Sequence, residues 1–333
     1  MKAVVMTQSG DADVLQLREV ETPRITSPTQ LLVKLMAAGV NPLDTKLRAR
    51  GTYYPDRMPA VLGCDGAGVV VEVGDAVRDF QPGDGVYYCN GGIGGEPGNY
   101  AEYTTIDESF AVRKPDSLSF SEAAAAPLVL ITAYESLFDR MNVQPEQRVL
   151  IHAGAGGVGH VAIQLAHDAG ARVATTVSNE EKEAFVTGLG AELPICYHAA
   201  DFAAACREWS GGEGVDGVFD TVGGKAFSVG FTAARHYGHV VTLLEPPADA
   251  NWKEARLRNL TVSFELMLTP MLHDLHRQRL HQAQILTWAG KLFDEGKLKM
   301  HVAREYPLEE AAEAHRAIEA GSTVGKLVLR ISQ

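Results

Sequence analysis

The chain predicts an α/β protein in which a doubly wound parallel sheet is joined to an irregular β-barrel domain. Three observations carry that expectation: a glycine-rich turn between a β-branched run and an amphipathic stretch at 148–168, a repeated alternation of strand and helix signals after it, and an N-terminal third punctuated by Gly and Pro.

The run Arg148-Val-Leu-Ile-His-Ala-Gly-Ala-Gly-Gly-Val-Gly159 sets Gly154, Gly156 and Gly159 in the spacing G-x-G-x-x-G. The three glycines serve different mechanical ends, which are a tight turn, close backbone approach to a pyrophosphate, and close packing of helix on strand. The helix expected at 157–168 would aim its unpaired N–H groups and positive dipole end at the phosphates. An ordinary strand-to-helix turn also tolerates that spacing, so the elements that follow decide. Strands are expected at 171–177, 193–196, 215–220, 239–244 and 260–265, and helices at 180–189, 202–209 and 226–236. That is βαβ alternation, and it sets one cofactor-binding domain at 124–267.

Where an NAD-preferring site has an acid about twenty residues beyond the glycines, to bind the ribose 2′-hydroxyl and repel a 2′-phosphate, this chain reads Thr175-Thr-Val-Ser178-Asn-Glu-Glu-Lys182. Ser178 repels nothing and Lys182 offers positive charge to a phosphate, which favours NADPH over NADH. Two other readings stay open. Ser178-x-x-Glu181 is also a capping box with Lys182 solvated beside it, and Glu180 or Glu181 would reach a ribose and favour NADH.

The first 120 residues predict strands at 1–6, 31–37, 67–73 and 84–88, separated as in a small, irregular β-barrel. In 73–86 two glycine turns flank a valine and a phenylalanine expected inside, a purely structural segment. At the other end, 273–296 reads as one long helix or a broken pair, 300–305 as a strand, 308–319 as a helix and 326–331 as a last strand. This end is too small to fold alone, so its return to the N-terminal barrel is expected, giving a catalytic domain of 1–123 with 268–333.

Composition adds boundaries. The 333 residues are 46% hydrophobic and 22% charged, as in an ordinary soluble enzyme. A net charge of −12 argues against nucleic acid or an anionic membrane as partner. No apolar run approaches the ~20 residues that span a bilayer, and the start lacks the pattern of a secretory signal, which makes the cytoplasm the expected compartment. The four cysteines, Cys64, Cys89, Cys196 and Cys206, form no C-x-x-C pair and are expected to be free.

Ala38-Gly-Val-Asn-Pro-Leu-Asp-Thr45, Leu62-Gly-Cys-Asp-Gly-Ala-Gly-Val69, the 73–86 segment, the turn at 153–159 and the closing Gly325-Lys-Leu-Val-Leu329 occur in one order. With these motifs the chain resembles the medium-chain dehydrogenase/reductase superfamily and, within it, the zinc-free, zeta-crystallin-like quinone oxidoreductase branch. The resemblance implies a Rossmann domain inserted into a GroES-like catalytic domain built from both chain ends. Where zinc-dependent relatives hold the catalytic metal with cysteine, histidine and cysteine, matching the motifs puts Asn41, Cys64 and approximately Leu128 here. The lobe with four cysteines in those relatives is replaced by 89–98, with one thiol. No zinc is therefore expected. Without a metal to lower an alcohol's pKa, the easier chemistry is delivery of hydride from NADPH to a quinone or to the β-carbon of an enone.

The same resemblance implies site residues. Asn41 would donate to a substrate oxygen gathering charge. From their own setting, Tyr53 or Tyr54, in a loop flanked by Gly and Pro, would donate a proton or stack on a quinone, and Asp44 would cap or orient the turn after Asn41. Thr132 would bind the nicotinamide ribose or carboxamide, and the Gly154–Gly159 turn, through Gly156, Gly157 and Val158, the pyrophosphate. Ser178, Lys182 and Tyr197 would hold the 2′-phosphate. Thr221, Leu243, Phe264 and Leu266 would lie near the nicotinamide half, and Lys326 would reach the pyrophosphate. In relatives the strand at 260–266 pairs across a two-fold axis, implying a homodimer. Cys64-Asp65 and Leu244-Glu-Pro-Pro247 depart from the common pattern. Two further functions remain open: an alcohol dehydrogenase with an atypical zinc site at Cys64 and Asp65, and a non-catalytic NADPH-binding or RNA-binding crystallin-like role.

Overall fold

A computed structural model describes residues 1–332. Two compact units divide the chain: Met1–Leu128 with the segment from Leu268 onward, and Val129–Met267. The change of unit comes a few residues later than the expected 124. The helix Phe120–Ala125 packs on the strands Gln30–Val40 and Asp65–Val73 of the first unit, and an added carbon at Gly39 would lie 2.4 Å from the Ala124 carbonyl.

In the second unit Arg148–Ile151, Arg172–Val177, Leu193–Cys196, Val215–Asp220, Ala234–Thr242 and Thr261–Phe264 form one sheet, all its pairings parallel. Numbered in chain order, the strands lie 3-2-1-4-5-6 across it, the doubly wound arrangement that reverses beside the first strand. A parallel sheet is covered on both faces, which is why Val149, Leu150 and Ile151 of that strand are all fully buried. The helices Gly157–Asp168 and Phe202–Trp209 have the bounds read from the sequence. The fifth strand starts earlier than expected, because the preceding helix Gly224–Ala233 ends where Ala234 turns extended (φ −68°, ψ 145°).

The first unit holds a seven-stranded sheet whose path runs Val302–Pro307, Lys326–Arg330, Gln30–Val40, Asp65–Val73, Gly85–Cys89, Val112–Arg113, with Tyr103–Asp107 also on Gln30–Val40. Lys326–Arg330 pairs antiparallel with Gln30–Val40, Leu327 facing Val40. The C-terminal end thus closes the N-terminal barrel. A three-stranded sheet of Leu15–Glu19, Lys2–Met6 and Ala60–Val61 completes the unit. Of the two readings for 273–296 the structure has the single helix, His276–Asp294; a separate short helix, Thr269–Leu272, precedes it, and Asp274 between them takes a left-handed conformation (φ 51°).

Gly154 is pressed hardest by its neighbours: an added carbon would lie 2.1 Å from Thr175 Oγ1, whose hydroxyl donates to Ile151 O at 2.6 Å, and 2.9 Å from Ile163 Cδ1. Gly154→Ala should therefore destabilise this unit by about 1–3 kcal/mol, read as a lower denaturation midpoint. Gly156→Ala, whose added carbon approaches only the Ala153 carbonyl at 3.1 Å, should lose less.

Candidate functional site

The cofactor unit is built around the turn at 153–159. Ala153 takes φ 50°, and its N–H donates to Thr176 Oγ1 at 3.0 Å while Gly154 N–H donates to Thr176 O at 3.1 Å. Gly159 would place a carbon 2.3 Å from the Ala153 carbonyl, so the helix Gly157–Asp168 packs directly on the turn. Gly156 is the N-cap, and the first-turn N–H groups that follow have no partner inside the helix. Gly156, Gly157 and Val158 stay partly exposed. A glycine-lined helix start of this form fits a pyrophosphate.

The start of the next helix corrects one expectation. Glu180–Thr187 is capped by Asn179, whose side chain accepts from Lys182 N at 2.9 Å; Ser178 stands outside the helix, so the Ser178-x-x-Glu181 box does not form. Asn179 takes the extended conformation a cap needs (φ −161°, ψ 172°), and the frame starts one residue later. Ser178 and Lys182 are half-buried, while Tyr197, which follows the strand Leu193–Cys196, is 49% exposed. Thr221 spends its hydroxyl on His152 O at 2.7 Å. Thr132 is buried, Leu243 is half-buried, and Phe264 and Leu266 are exposed.

In the first unit Asn41-Pro-Leu-Asp44 starts the helix Pro42–Arg50. Proline suits the first helical position and forces Asn41 extended (φ −125°, ψ 152°). Asp44 sits at the third helical position, and its carboxylate accepts from Asn41 N at 2.8 Å, orienting the turn as expected. The Asn41 amide is fully buried and engaged at both ends: Nδ2 donates to Asp65 Oδ2 at 2.9 Å, and Oδ1 accepts from the Lys326 ammonium. Lys326 also donates to Val40 O at 3.1 Å and lies 3.8 Å from Asp65 Oδ2, and the other Asp65 oxygen accepts from Leu128 N at 2.8 Å. The lysine expected at the pyrophosphate is 3% exposed and holds this cluster together. Burial pushes Asp65 up and Lys326 down, and their attraction opposes both shifts.

A second chain of buried groups starts from Asp44. Tyr100 Oη donates to Asp44 Oδ2 at 3.1 Å and lies 3.2 Å from His315 Nε2. Burial raises Asp44 to about 7, against the Asn41 N–H bond, with the Asp65 charge adding to the rise. Burial, then the Arg48 charge, holds His315 down to about 3. Asp44 Oδ1 and His315 Nδ1 have no hydrogen-bond partner among the described residues. Sequence reasoning missed Tyr100 and His315, because 215 positions separate them and no local pattern joins them. Tyr53 is 47% exposed with its N–H on Ile93 O at 3.2 Å, and Tyr54 is half-buried, with the Arg57 guanidinium over its ring.

The three positions where relatives ligate zinc do not fit that ion. Asn41 is engaged at both ends of its amide and Leu128 has no donor side chain, which leaves Cys64 as one ligand of the three that a catalytic zinc takes from the protein. Among the described residues no group of three or more His, Cys, Asp or Glu could hold a metal ion.

Comparisons with known proteins agree with this architecture. The chain matches the alcohol dehydrogenase GroES-like domain family over residues 27–116 and the zinc-binding dehydrogenase family over 189–329. It is 33% identical to a 2-haloacrylate reductase of Burkholderia sp, with 98% of each chain covered. It is 30% identical to a quinone oxidoreductase of Homo sapiens, over 99% of this chain and 97% of that one. A solved quinone oxidoreductase of Escherichia coli, complexed with NADPH, superposes with a TM-score of 0.88 at 28% identity, covering 99% of this chain and 100% of the other.

Asp44 binds its proton more tightly folded than unfolded, so the stability it contributes is fully present below about pH 4 and is lost as pH rises through about 7. The midpoint difference between Asp44→Asn and the parent should move in the variant's favour from pH 5 to pH 8. A difference equal at both pH values would contradict the linkage.

Proposed function

Because the chain belongs to the quinone oxidoreductase branch of the medium-chain dehydrogenase/reductase superfamily, we propose that it is an NADPH-dependent, zinc-independent reductase of quinones or α,β-unsaturated carbonyls. The state of Asn41 carries this reading. Where zinc chemistry needs a thiolate, this chain has a buried amide engaged by Asp65 and Lys326. Alcohol oxidation then lacks a metal to draw off the alcohol's proton, whereas hydride delivery to an electron-poor acceptor needs none. The name of the 2-haloacrylate reductase, which denotes an electron-poor alkene, supports the enone arm.

NADPH, when bound, supplies the hydride. The N–H groups of Gly156, Gly157 and Val158 bind its pyrophosphate, and Ser178, Lys182 and Tyr197 its 2′-phosphate. Thr132, Thr221, Leu243, Phe264 and Leu266 orient the nicotinamide half. The acceptor gains one hydride and one proton, and Tyr53, a half-exposed residue, donates the proton. Asn41 acts through the cluster it anchors, holding the start of Pro42–Arg50. The assembly we propose is a homodimer through the edge strand Thr261–Phe264, which pairs on one side only among the described residues.

Oxidation of NADPH over ortho- and para-quinones and short enals, with and without a chelator, tests the reading. Turnover should appear and survive prolonged chelation. Loss on chelation restored only by zinc would favour the dehydrogenase alternative, and NADPH binding without turnover the non-catalytic one. Lys182→Ala should weaken NADPH binding by about 1.5–3 kcal/mol and leave NADH nearly unchanged, measured by titrating both nucleotides into both proteins. NADH preference in the parent would sink the NADPH assignment.

A further inference from the structure

The stretch that ends the cofactor sheet alternates in the unexpected sense. Phe264 is 55% exposed, Glu265 3% and Leu266 47%, so a carboxylate points inward between two large apolar side chains that point out. The Glu265 N–H continues the pairing of the strand that ends at Phe264, so whatever fixes Glu265 bears directly on Phe264 and Leu266 to either side of it. Two bonds fix it. Its N–H donates to Thr242 O at 3.0 Å, and its Oε2 accepts from Arg140 Nε at 2.8 Å.

Arg140 ends the run Glu135–Arg140, where the helix Pro127–Tyr134 continues with π-helical winding. Such winding is rare and frequent at functional sites. Thr242 is held in turn: its hydroxyl donates to Asp220 Oδ2 at 2.8 Å, while Asp220 Oδ1 accepts from Val222 N at 3.1 Å and Gly223 N at 2.8 Å. The ends of the fourth, fifth and sixth strands are thus tied to one another and to this helix. Burying a carboxylate where a Phe or Leu would pack is unfavourable without a partner, and here the partner is the Arg140 guanidinium.

We propose that Glu265, held by Arg140, is a positioning residue that turns Phe264 and Leu266 outward as an apolar contact for the nicotinamide ring of NADPH. The inference rests on the cofactor reading above. Neither Glu265 nor Arg140 touches the cofactor; both act through the backbone of 264–266.

The test titrates NADPH and 2′,5′-ADP, which has no nicotinamide, into the parent, Glu265→Gln, Arg140→Met and Phe264→Ala. Bound-nicotinamide fluorescence and single-turnover hydride transfer are read alongside. Glu265→Gln and Arg140→Met should lose most of the fluorescence rise on NADPH binding and slow hydride transfer by roughly tenfold to a hundredfold. Their 2′,5′-ADP affinity should stay at the parent's value. Phe264→Ala, a change at an exposed side chain, should reproduce the loss, and Arg140→Lys should recover part of it. Equal weakening of NADPH and 2′,5′-ADP would show a role in the fold alone and overturn the proposal. A parent that binds both compounds, with Glu265→Gln leaving fluorescence and rate intact, would overturn this inference and spare the cofactor reading; a parent that binds neither would overturn both.

Discussion

Asp65 is a carboxylate fully removed from water, and the first unit is organised by how it is satisfied. One oxygen takes the Leu128 N–H; the other takes the Asn41 amide and faces the Lys326 ammonium. Those partners come from the helix entry after residue 126, the end of Gln30–Val40 and the first residue of the last strand. A lone buried charge is strongly unfavourable, and removing one partner of such a group destabilises more than the pair itself stabilises. The three segments are therefore held by one requirement: each must arrive for Asp65 to be buried. Gly39 shows how tight the arrangement is, since an added carbon there would lie 2.9 Å from Asp65 Cβ.

That requirement also bears on the chemistry. An asparagine with both ends of its amide engaged is a rigid post, and its neighbour Pro42 starts a helix whose third residue, Asp44, ties back to the Asn41 N–H. The buried Asp44, Tyr100 and His315 extend the post inward, with burial favouring the neutral form of the acid and of the histidine alike. At the glycine turn the second unit relies on close contact. Gly154 and Gly159 are glycines because Thr175 and the Ala153 carbonyl occupy the space of a side chain, and the helix end between them is left free to meet an anion.

Much of this is legible in the residues. Short β-branched runs between helical stretches place the six parallel strands, and 193–196, 202–209 and 215–220 have their expected bounds because turn residues or charges close both ends. The glycine turn and the return of the last strand to the barrel are legible for the same reason: local spacing and the need to bury a short apolar strand determine them. The Ser178 box is misplaced because Ser178, Asn179 and Glu181 offer two overlapping cap patterns, and the choice between them depends on where the preceding strand releases the chain.

Propensity, periodicity and turn residues act over a few positions, so the residues alone settle the class of each segment and the chemistry available to it. What those groups do to one another is settled by the folded molecule. Lys326, expected at the pyrophosphate, is a buried partner of Asn41; Glu265, expected only as the end of a strand, is buried against Arg140. The reason is that burial, desolvation and pairing arise between residues 125 to 285 positions apart, a separation over which no sequence pattern carries a signal and only the closed sheet brings the partners together.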